Sequence, residues 1–596
     1  MRQVVATAGH VDHGKSTLIR ALTGTDPDRL EAEKRRGLTI ELGFAWTALP
    51  SGREVSFVDV PGHERFLGTM LTGLGPAPVV CFVVAADEGW KEQSSDHRDA
   101  IAALGIDQGV LVVSRTDLAP ERVDAVIAQA RTELAGTGLD QAPAVAVSAR
   151  TGSGLDALRV LLDEVVGAAR EPSEHERVRL WVDRSFTIAG AGTVVTGTLG
   201  AGTIATGDRL ELCGAERGEA VTVRGVQTRG GPVDRIGPVS RAAVNLRGIA
   251  PEEIGRGDAL LTPGAWQVTG TVEVRRMTGE SFADAPAQHV AHVGTAAVPA
   301  RVRPLGEDHA RLTLARALPL RVGDRLVLRG SGSRWVRTGA HVLDVDPPSL
   351  RRRGEGARRR EQLEALPLSG DAAAEVARRG AMTAAALRRR GITPPPDPAP
   401  GLRHRGDWVI DADALAAWSV RLRETVRADG AADALSAGLP RKAAVDALAL
   451  PDPSLLDAVV AAAGLRQDGG RIREAGEPAG LGDAEEPVRT LEARLAAEPF
   501  AAPEAEELQA LGLGARALAA AAHRGRLLRL EGGVILLPTA PALAMRELAA
   551  LPQPFTASQA RRSLATTRRV AIPLLEHLDR RGWTRRLDAG HREVVR

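Results

Sequence analysis

The string GHVDHGKST, Gly9 to Thr17, lies between an apolar run (Val4 to Ala8) and a helical one (STLIRALTG), and this placement constrains the fold most strongly. A glycine-rich turn joining a strand to a helix presents backbone N–H groups as a cradle that wraps phosphates. Gly9, His10, Val11, Asp12, His13, Gly14, Lys15, Ser16 and Thr17 are therefore assigned to a nucleotide. In that assignment Lys15 reaches the terminal phosphates and the Ser16 hydroxyl takes a Mg²⁺ position. About fifty residues on, Asp59-Val60-Pro61-Gly62-His63 closes a second strand-like run, Val55 to Val60. The Asp59 carboxylate can hold the metal's water shell.

Three more segments in order complete a nucleotide site. In Arg36-Gly37-Leu38-Thr39-Ile40 the threonine can close over the γ-phosphate and Mg²⁺, in a segment that orders with triphosphate. The Gly62 amide can sense the γ-phosphate, and His63 can orient the attacking water. After the strand GVLVV, Ser114-Arg115-Thr116-Asp117-Leu118 reads as a base loop. Its Asp117 carboxylate accepts the N1 and N2 donor pair of guanine, which adenine lacks. Ser148-Ala149-Arg150 after AVAV completes the pocket. A zinc site built from His10, His13 and His63 is the alternative reading, opposed by the competition it would create with the phosphate loop. Asp12 reads either as a monovalent-cation ligand or as a solvated loop carboxylate.

Length then sets the number of units. At 596 residues, and roughly 150 per domain, about four or more are expected. Residues 1–173 alternate short apolar strands with helical runs such as Val123 to Leu134, the pattern of a parallel sheet covered on both faces. Residues 174–264 and 265–348 lose the helical period and carry Gly-Asp turns before apolar runs (ATGDRLEL, IGRGDALL, RVGDRLVL), which predicts two antiparallel β-barrels. Beyond a charged connector, alanine-rich helices precede hairpins centred on Gly406, Gly469, Gly532 and Gly590, at intervals of 63, 63 and 58 residues. This repeat predicts four winged helix-turn-helix units: 349–425 with the connector, 426–484, 485–541 and 542–596. A helical repeat with coincident glycine turns is the alternative.

Charge and cysteine content narrow the class. With 77 Lys+Arg against 75 Asp+Glu, any nucleic-acid surface must be local. Cys81 and Cys213 have no CxxC partner, which suits a reducing cytoplasm. A strand beginning at the N-terminus and the lack of an 18-residue apolar stretch predict a protein without signal peptide or membrane partner, expected as a monomer.

The strings GHVDHGKST, RGLTI and DVPGH resemble the EF-Tu class of translational GTPases. DPDRLEAEKRRGLTIELGFA at Asp26 to Ala45 is more particular and resembles the SelB family, the selenocysteine-specific elongation factors. SLATTRRVAIPLLEHLDRRGWTRR at Ser563 to Arg586 resembles that family's last winged helix, and VDRSFTIAGAGTVVTGT its second domain. One departure is Ser114-Arg115, where the family commonly has Asn or Thr, then Lys. Serine is expected to hold fewer loop contacts, while arginine can stack on guanine.

The resemblance implies a GTPase that binds GTP and GDP with Mg²⁺, carries selenocysteyl-tRNA to the ribosome at a recoded UGA, and is tethered to an mRNA hairpin (SECIS). It implies that Asp183, Arg184 and Arg241 form the selenocysteine pocket, where arginines favour a selenolate over neutral serine. The ordinary alternative is a barrel ion pair of Asp183 with Arg184 or a neighbour. Residues 556–596 carry ten arginines against four acids, and Arg561, Arg562, Arg568, Arg569, Arg585 and Arg586 are assigned to the hairpin. A solvated basic face is the alternative. For Arg358 to Arg360, RNA or ribosome contact and plain solvation stand equal, and the acidic third unit reads as a spacer. The rival functions are a general EF-Tu-like or initiation-factor-γ-like tRNA carrier, which lacks the winged tail, and a winged-helix DNA-binding regulator with a GTP switch, which needs no barrels. A GTPase partner of a sulfate-activating enzyme would lack the basic tail.

Overall fold

The computed structural model describes residues 2–28, 33, 39–169, 171–188, 192–214, 217–330, 332, 335–432, 438–474 and 481–595. Arg36, Gly37 and Leu38, much of the DRLEAEKRR string and the turn of GAGTVV lie outside them. The chain divides into two compact units, Met1–Glu375 with Met382–Pro396, and Val376–Ala381 with Asp397–Arg596.

The first unit begins with a six-stranded sheet of order β2-β3-β1-β4-β5-β6: β1 Arg2–Ala8, β2 Gly43–Ala48, β3 Glu54–Asp59, β4 Val79–Ala85, β5 Gln108–Ser114 and β6 Ala144–Ala146. β-Branched runs suit it, since β4 is buried along its whole length. Alternate β1 side chains enter two cores. Val4, Ala6 and Ala8 meet Leu67, Met70, Leu71 and Leu74 from the helix segment around Leu67–Leu74, whereas Val5 joins Leu18, Ile19, Leu158 and Leu162 on the opposite face. Helices α1 Lys15–Thr23, α2 Leu67–Leu74, α3 Glu92–Leu104, α4 Val123–Leu134 and α5 Leu155–Ala168 cover the sheet. Strand β2 was not expected from the sequence. It is antiparallel to β3, with Gly43 opposite Asp59 and Phe44 opposite Val58.

Two barrels follow. In the first, Arg217–Thr228 pairs with both Ser240–Arg247 and Arg209–Cys213 and so closes the ring. The second is a closed barrel of six strands, in which Ala296–Pro304 alternates buried and exposed residues. Its connector corrects one expectation. Arg359 is neither an RNA contact nor solvated: it is 5 % exposed and donates to the buried carboxylates of Glu273 (2.7 Å) and Asp344 (2.5 Å). Arg311 shares Glu273. Two guanidiniums on a fully buried carboxylate make this a satisfied ionic cluster whose partial removal costs several kcal/mol, about 3–5.

The second unit is helices and short hairpins: Leu402–Arg405 with Trp408–Asp411, Leu465–Asp468 with Arg471–Glu474, Leu528–Arg529 with Ile535–Leu536, and Thr584–Arg586 with His591–Val594. Gly406, Gly469 and Gly532 occupy left-handed turn positions. In the last turn the Asp588 carboxylate instead accepts from the N–H groups of Gly590 and His591. One continuous core, from Leu481 to Leu578, joins the third and fourth winged elements. Among the described residues no helix is long and apolar enough to cross a membrane.

Candidate functional site

The phosphate loop is clamped from three directions. Gly9 has φ +128°, and a Cβ there would lie 2.1 Å from the Val83 carbonyl oxygen, so only glycine fits. Its N–H donates to Nδ1 of buried His97 at 3.1 Å, and the Val11 N–H donates to Gln93 at 3.2 Å. Both partners come from α3. His13 Nδ1 donates to the Val83 carbonyl at 3.3 Å. Gly62 packs so closely that a Cβ would stand 2.6 Å from Lys15 Nζ and from the Val11 nitrogen. The DVPGH turn therefore rests directly on the loop.

Lys15 is buried and donates to the carbonyls of Gly9 (3.0 Å) and His10 (2.8 Å), holding the loop closed around itself. Burial lowers its pKa to about 8, against the opposing pull of Asp59. Asp59 is fully buried and accepts from Thr7 Oγ1 at 2.6 Å. Burial pushes its carboxyl up to about 6 in spite of Lys15. Its Oδ2 has no hydrogen-bond partner among the described residues. Ser16 Oγ lies 3.1 Å from Thr39 Oγ1, which donates to Asp28 at 3.0 Å. Hard oxygens around an orphaned carboxylate atom fit Mg²⁺. Asp28 lies in the DPDRLEAEKRR string but was assigned no role in the sequence, because its bond with Thr39 is made across eleven residues. Its burial raises its pKa, consistent with a carboxylate that gains from a cation.

His10 and His13 lie with ring centroids 5.0 Å apart. His63 instead caps the turn Glu64–Phe66, its Nδ1 accepting the Arg65 N–H at 3.2 Å. Among the described residues no three His, Cys, Asp or Glu side chains form a zinc cluster.

At the base loop, Ser114 does more than expected. Its hydroxyl donates to the His13 carbonyl at 2.7 Å. The Arg115 guanidinium bonds the Asp12 carbonyl, Asp87 and Glu88 (3.0 Å) rather than standing free. The departure at these two positions thus keeps the base loop tied to the phosphate loop. Asp117 accepts from Ser148 (2.5 Å) and Arg150 (2.8 Å), and those bonds hold its carboxyl below the usual range. Ala149 lies between these partners, and Leu118 is exposed beside them.

Three neutral histidines under the loop give a pH dependence. Burial lowers His10, brings His13 down to about 3 and pushes His97 far below its ordinary value. At His13 and His97 the unfolded chain takes up a proton near 6.5 and the folded chain only at much lower pH. Stability is therefore full above about 6.5 and is lost as pH falls below it, by about 1.4 kcal/mol per unit for each of His13 and His97. Thermal unfolding midpoints are expected to fall between about pH 6.5 and 4, with a shallower slope in His97→Gln. An unchanged slope in that variant contradicts the assignment.

A second cluster lies between the sheet and the first barrel. Buried Asp183 accepts from Arg241 and, at 2.6 Å, from Thr196. Its guanidinium partner is Arg241, not the adjacent Arg184. Arg184 reaches the Leu42 carbonyl at 2.5 Å and Glu41 at 3.5 Å. Both arginines stack on Phe44 of β2, Arg241 at 4.1 Å and Arg184 at 5.1 Å from the ring centroid. Arg256, absent from the sequence-based set, donates to the Asp183 carbonyl at 3.2 Å and lies 3.4 Å from Glu41. Its local string IGRGDALL gives only a turn signal. A cavity of about 160 Å³ opens beside Phe44, Trp46, Thr196 and Arg241.

In the tail, Arg561 and Arg562 end helix Ala557–Ser563, Arg568 begins helix Arg568–Arg580, and all three are exposed. Arg569 is not available in the same way: it donates to the carbonyls of Ala502 and Pro503 (both 3.0 Å) and pairs with Glu504 at 3.1 Å. It fastens the last winged element to the third. Arg585 and Arg586 lie on the exposed wing, Arg585 paired with Glu593.

Comparison with known proteins gives the following. The family model for the elongation factor Tu GTP binding domain matches residues 2–169, that for the β-barrel domain of selenocysteine-specific elongation factors residues 271–349, and that for the elongation factor SelB winged helix residues 546–592. The chain is 36 % identical over 365 residues to the selenocysteine-specific elongation factor of Escherichia coli K12, covering 61 % of this chain and 58 % of that protein. It thus spans under two thirds of that relative's length. It is 32 % identical over 284 residues to elongation factor Tu 2 of Streptomyces avermitilis, covering 44 % of this chain and 72 % of that one. The crystal structure of a bacterial selenocysteine-specific elongation factor, EF-Sec, superposes with a TM-score of 0.78 at 25 % identity, covering 100 % of both chains.

Proposed function

We propose, for a chain that belongs to the EF-Tu class of translational GTPases and to its SelB branch, that it hydrolyses GTP in the course of delivering selenocysteyl-tRNA to the ribosome at a recoded UGA. The observation that carries the cargo assignment is the pair of arginines stacked on Phe44 around a buried carboxylate. Aligned guanidiniums beside a cavity favour an ionised selenol over a neutral hydroxyl.

In this reading the residues divide the work. The loop amides from Gly9 to Gly14 and Lys15 bind the phosphates, and Lys15, desolvated and already charged at neutral pH, exchanges its carbonyl partners for phosphate oxygens. Ser16, Thr39 and Asp59 would hold Mg²⁺, with Asp28 behind Thr39. The metal supplies charge neutralisation on the phosphates. Asp117 selects guanine, exchanging the exposed Arg150 for the base edge while Ser148 keeps the carboxylate aimed. His63 orients the water. Arg561, Arg562, Arg568, Arg585 and Arg586 meet the backbone of an mRNA hairpin, and the protein works in the cytoplasm.

The test is protection of the aminoacyl ester. Selenocysteyl-tRNA is expected to hydrolyse at least about tenfold more slowly with the protein and GTP than with the protein and GDP, and seryl-tRNA on the same tRNA body to be protected far less. Equal protection of both esters removes the selenocysteine assignment and leaves a general carrier.

A further inference from the structure

A cavity of about 590 Å³ lies in the first unit and has no part in the sites above. It opens between the start of the first barrel (Glu176, Arg177), the link between the barrels (Gly264, Ala265), Arg321 of the second barrel, and the segment from Ala385 to Pro394. Its walls are rich in arginine. Arg177 stacks on Trp266 at 3.9 Å, with Arg179 at 4.4 Å and Arg321 at 5.9 Å from the same ring.

The charges are unevenly neutralised. Arg179 forms a fork on Asp324 (2.6 and 2.8 Å), which also lies 3.5 Å from Arg321. Arg177 instead donates to two carbonyls, Ala265 (2.6 Å) and Arg389 (3.0 Å). Arg388 and Arg389 are exposed at the cavity wall, and no carboxylate pairs with them or with Arg177 among the described residues. Glu176 on the wall and Asp324 behind it are the opposing acids, and Glu211 is occupied by the Gly264 N–H at 2.9 Å. Burial, then repulsion from Arg321 and Arg179, lowers the Arg177 guanidinium to about 10. A cation under that load is relieved by an anion.

We propose that this cavity is a phosphate-binding site, in which Arg177, Arg388 and Arg389 hold phosphate groups through charge-assisted hydrogen bonds while Trp266 fixes the plane of Arg177. Guanidinium forks match phosphate oxygens in pairs, and a ring-stacked arginine loses little freedom on binding. Two sources present the same chemistry, a sugar–phosphate backbone of RNA and a free polyphosphate.

The experiment uses the full chain saturated with Mg²⁺ and a non-hydrolysable GTP analogue, so that the phosphate loop is filled. Pyrophosphate and a short unstructured RNA are titrated separately into the wild type, into the double variant Arg388→Gln with Arg389→Gln, and into Arg177→Lys. The exposed pair is expected to leave the unfolding midpoint unchanged and to weaken binding at least about tenfold. Arg177→Lys keeps the charge and loses the planar stack, so an intermediate loss is expected. A loss in the pyrophosphate arm identifies free polyphosphate as the ligand. A loss in the RNA arm, with the salt slope reduced by about 1.4 for two contacts, identifies the RNA backbone. Titrations of both probes that are identical across the three proteins overturn the proposal.

Discussion

His63→Ala is expected to leave GTP affinity nearly unchanged while lowering ribosome-stimulated turnover by roughly 10²–10³, the usual cost of losing a positioned proton-transfer or water-orienting group. The geometry separates the two effects. Among the described residues the His63 side chain bonds the Arg65 N–H and none of the groups that hold Lys15 and the loop, which depend on Gly9, His10, His97 and Gln93. A backbone N–H can only donate, so the Arg65 N–H bond makes Nδ1 the acceptor and leaves the proton of the neutral ring on Nε2. That tautomer offers a donor to a water oxygen. His63→Gln retains a polar end and should recover part of the rate. Single-turnover hydrolysis with and without ribosomes measures both, alongside equilibrium binding of a fluorescent nucleotide. Undiminished stimulated hydrolysis in His63→Ala rejects the role. The alanine also removes a turn cap, so an unfolding curve accompanies the assay. Loss of that cap accounts for only about 1 kcal/mol.

The second large effect concerns Arg241. Its removal strands the Asp183 carboxylate, 3 % exposed on its side chain, with Thr196 as its remaining side-chain partner, and the expected loss of stability is about 3–5 kcal/mol. Arg184 is more exposed, at 29 % of its side chain, and Arg184→Ala should cost far less stability. Both variants are expected to weaken selenocysteyl-tRNA binding more than seryl-tRNA binding. Structural damage and lost selectivity are separated by the double variant Arg241→Ala with Asp183→Asn. Neutralising the stranded carboxylate should restore the unfolding midpoint without restoring discrimination. Equal losses for the two esters in every variant would reduce the cluster to a structural ion pair within the first barrel.

The fold class was legible because each element carries its own local signal. Val79 to Ala85 is a continuous apolar run, the barrels announce themselves by Gly-Asp turns, and the hairpin glycines recur at nearly constant spacing. Strand β2 was not legible. GFAWTA is short, begins with glycine and becomes a strand only because the edge of β3 is free to receive it. The same limit applies to the site. Contiguous motifs disclose which residues surround the nucleotide, whereas Gly9 meets His97 across 88 residues and no local pattern announces that contact. Arg358 to Arg360 looked alike in sequence, and only the barrel's Glu273 and Asp344 set Arg359 apart as a buried cation. Arg569 likewise differs from Arg568 by the carbonyls it finds in the neighbouring winged element.

Strand β2 has one more consequence. Its register places Gly43 against Asp59, at the end of the nucleotide site where that carboxylate would hold Mg²⁺, and the very next residue, Phe44, carries the two guanidiniums. A displacement of this edge strand by the state of the phosphates would tilt the floor beneath the proposed cargo. Thermodynamic reciprocity then applies: by whatever factor GTP tightens the hold on the aminoacyl end, the aminoacyl end tightens the hold on GTP. A six-residue ribbon would thus let the carrier keep its fuel until the cargo has been handed over.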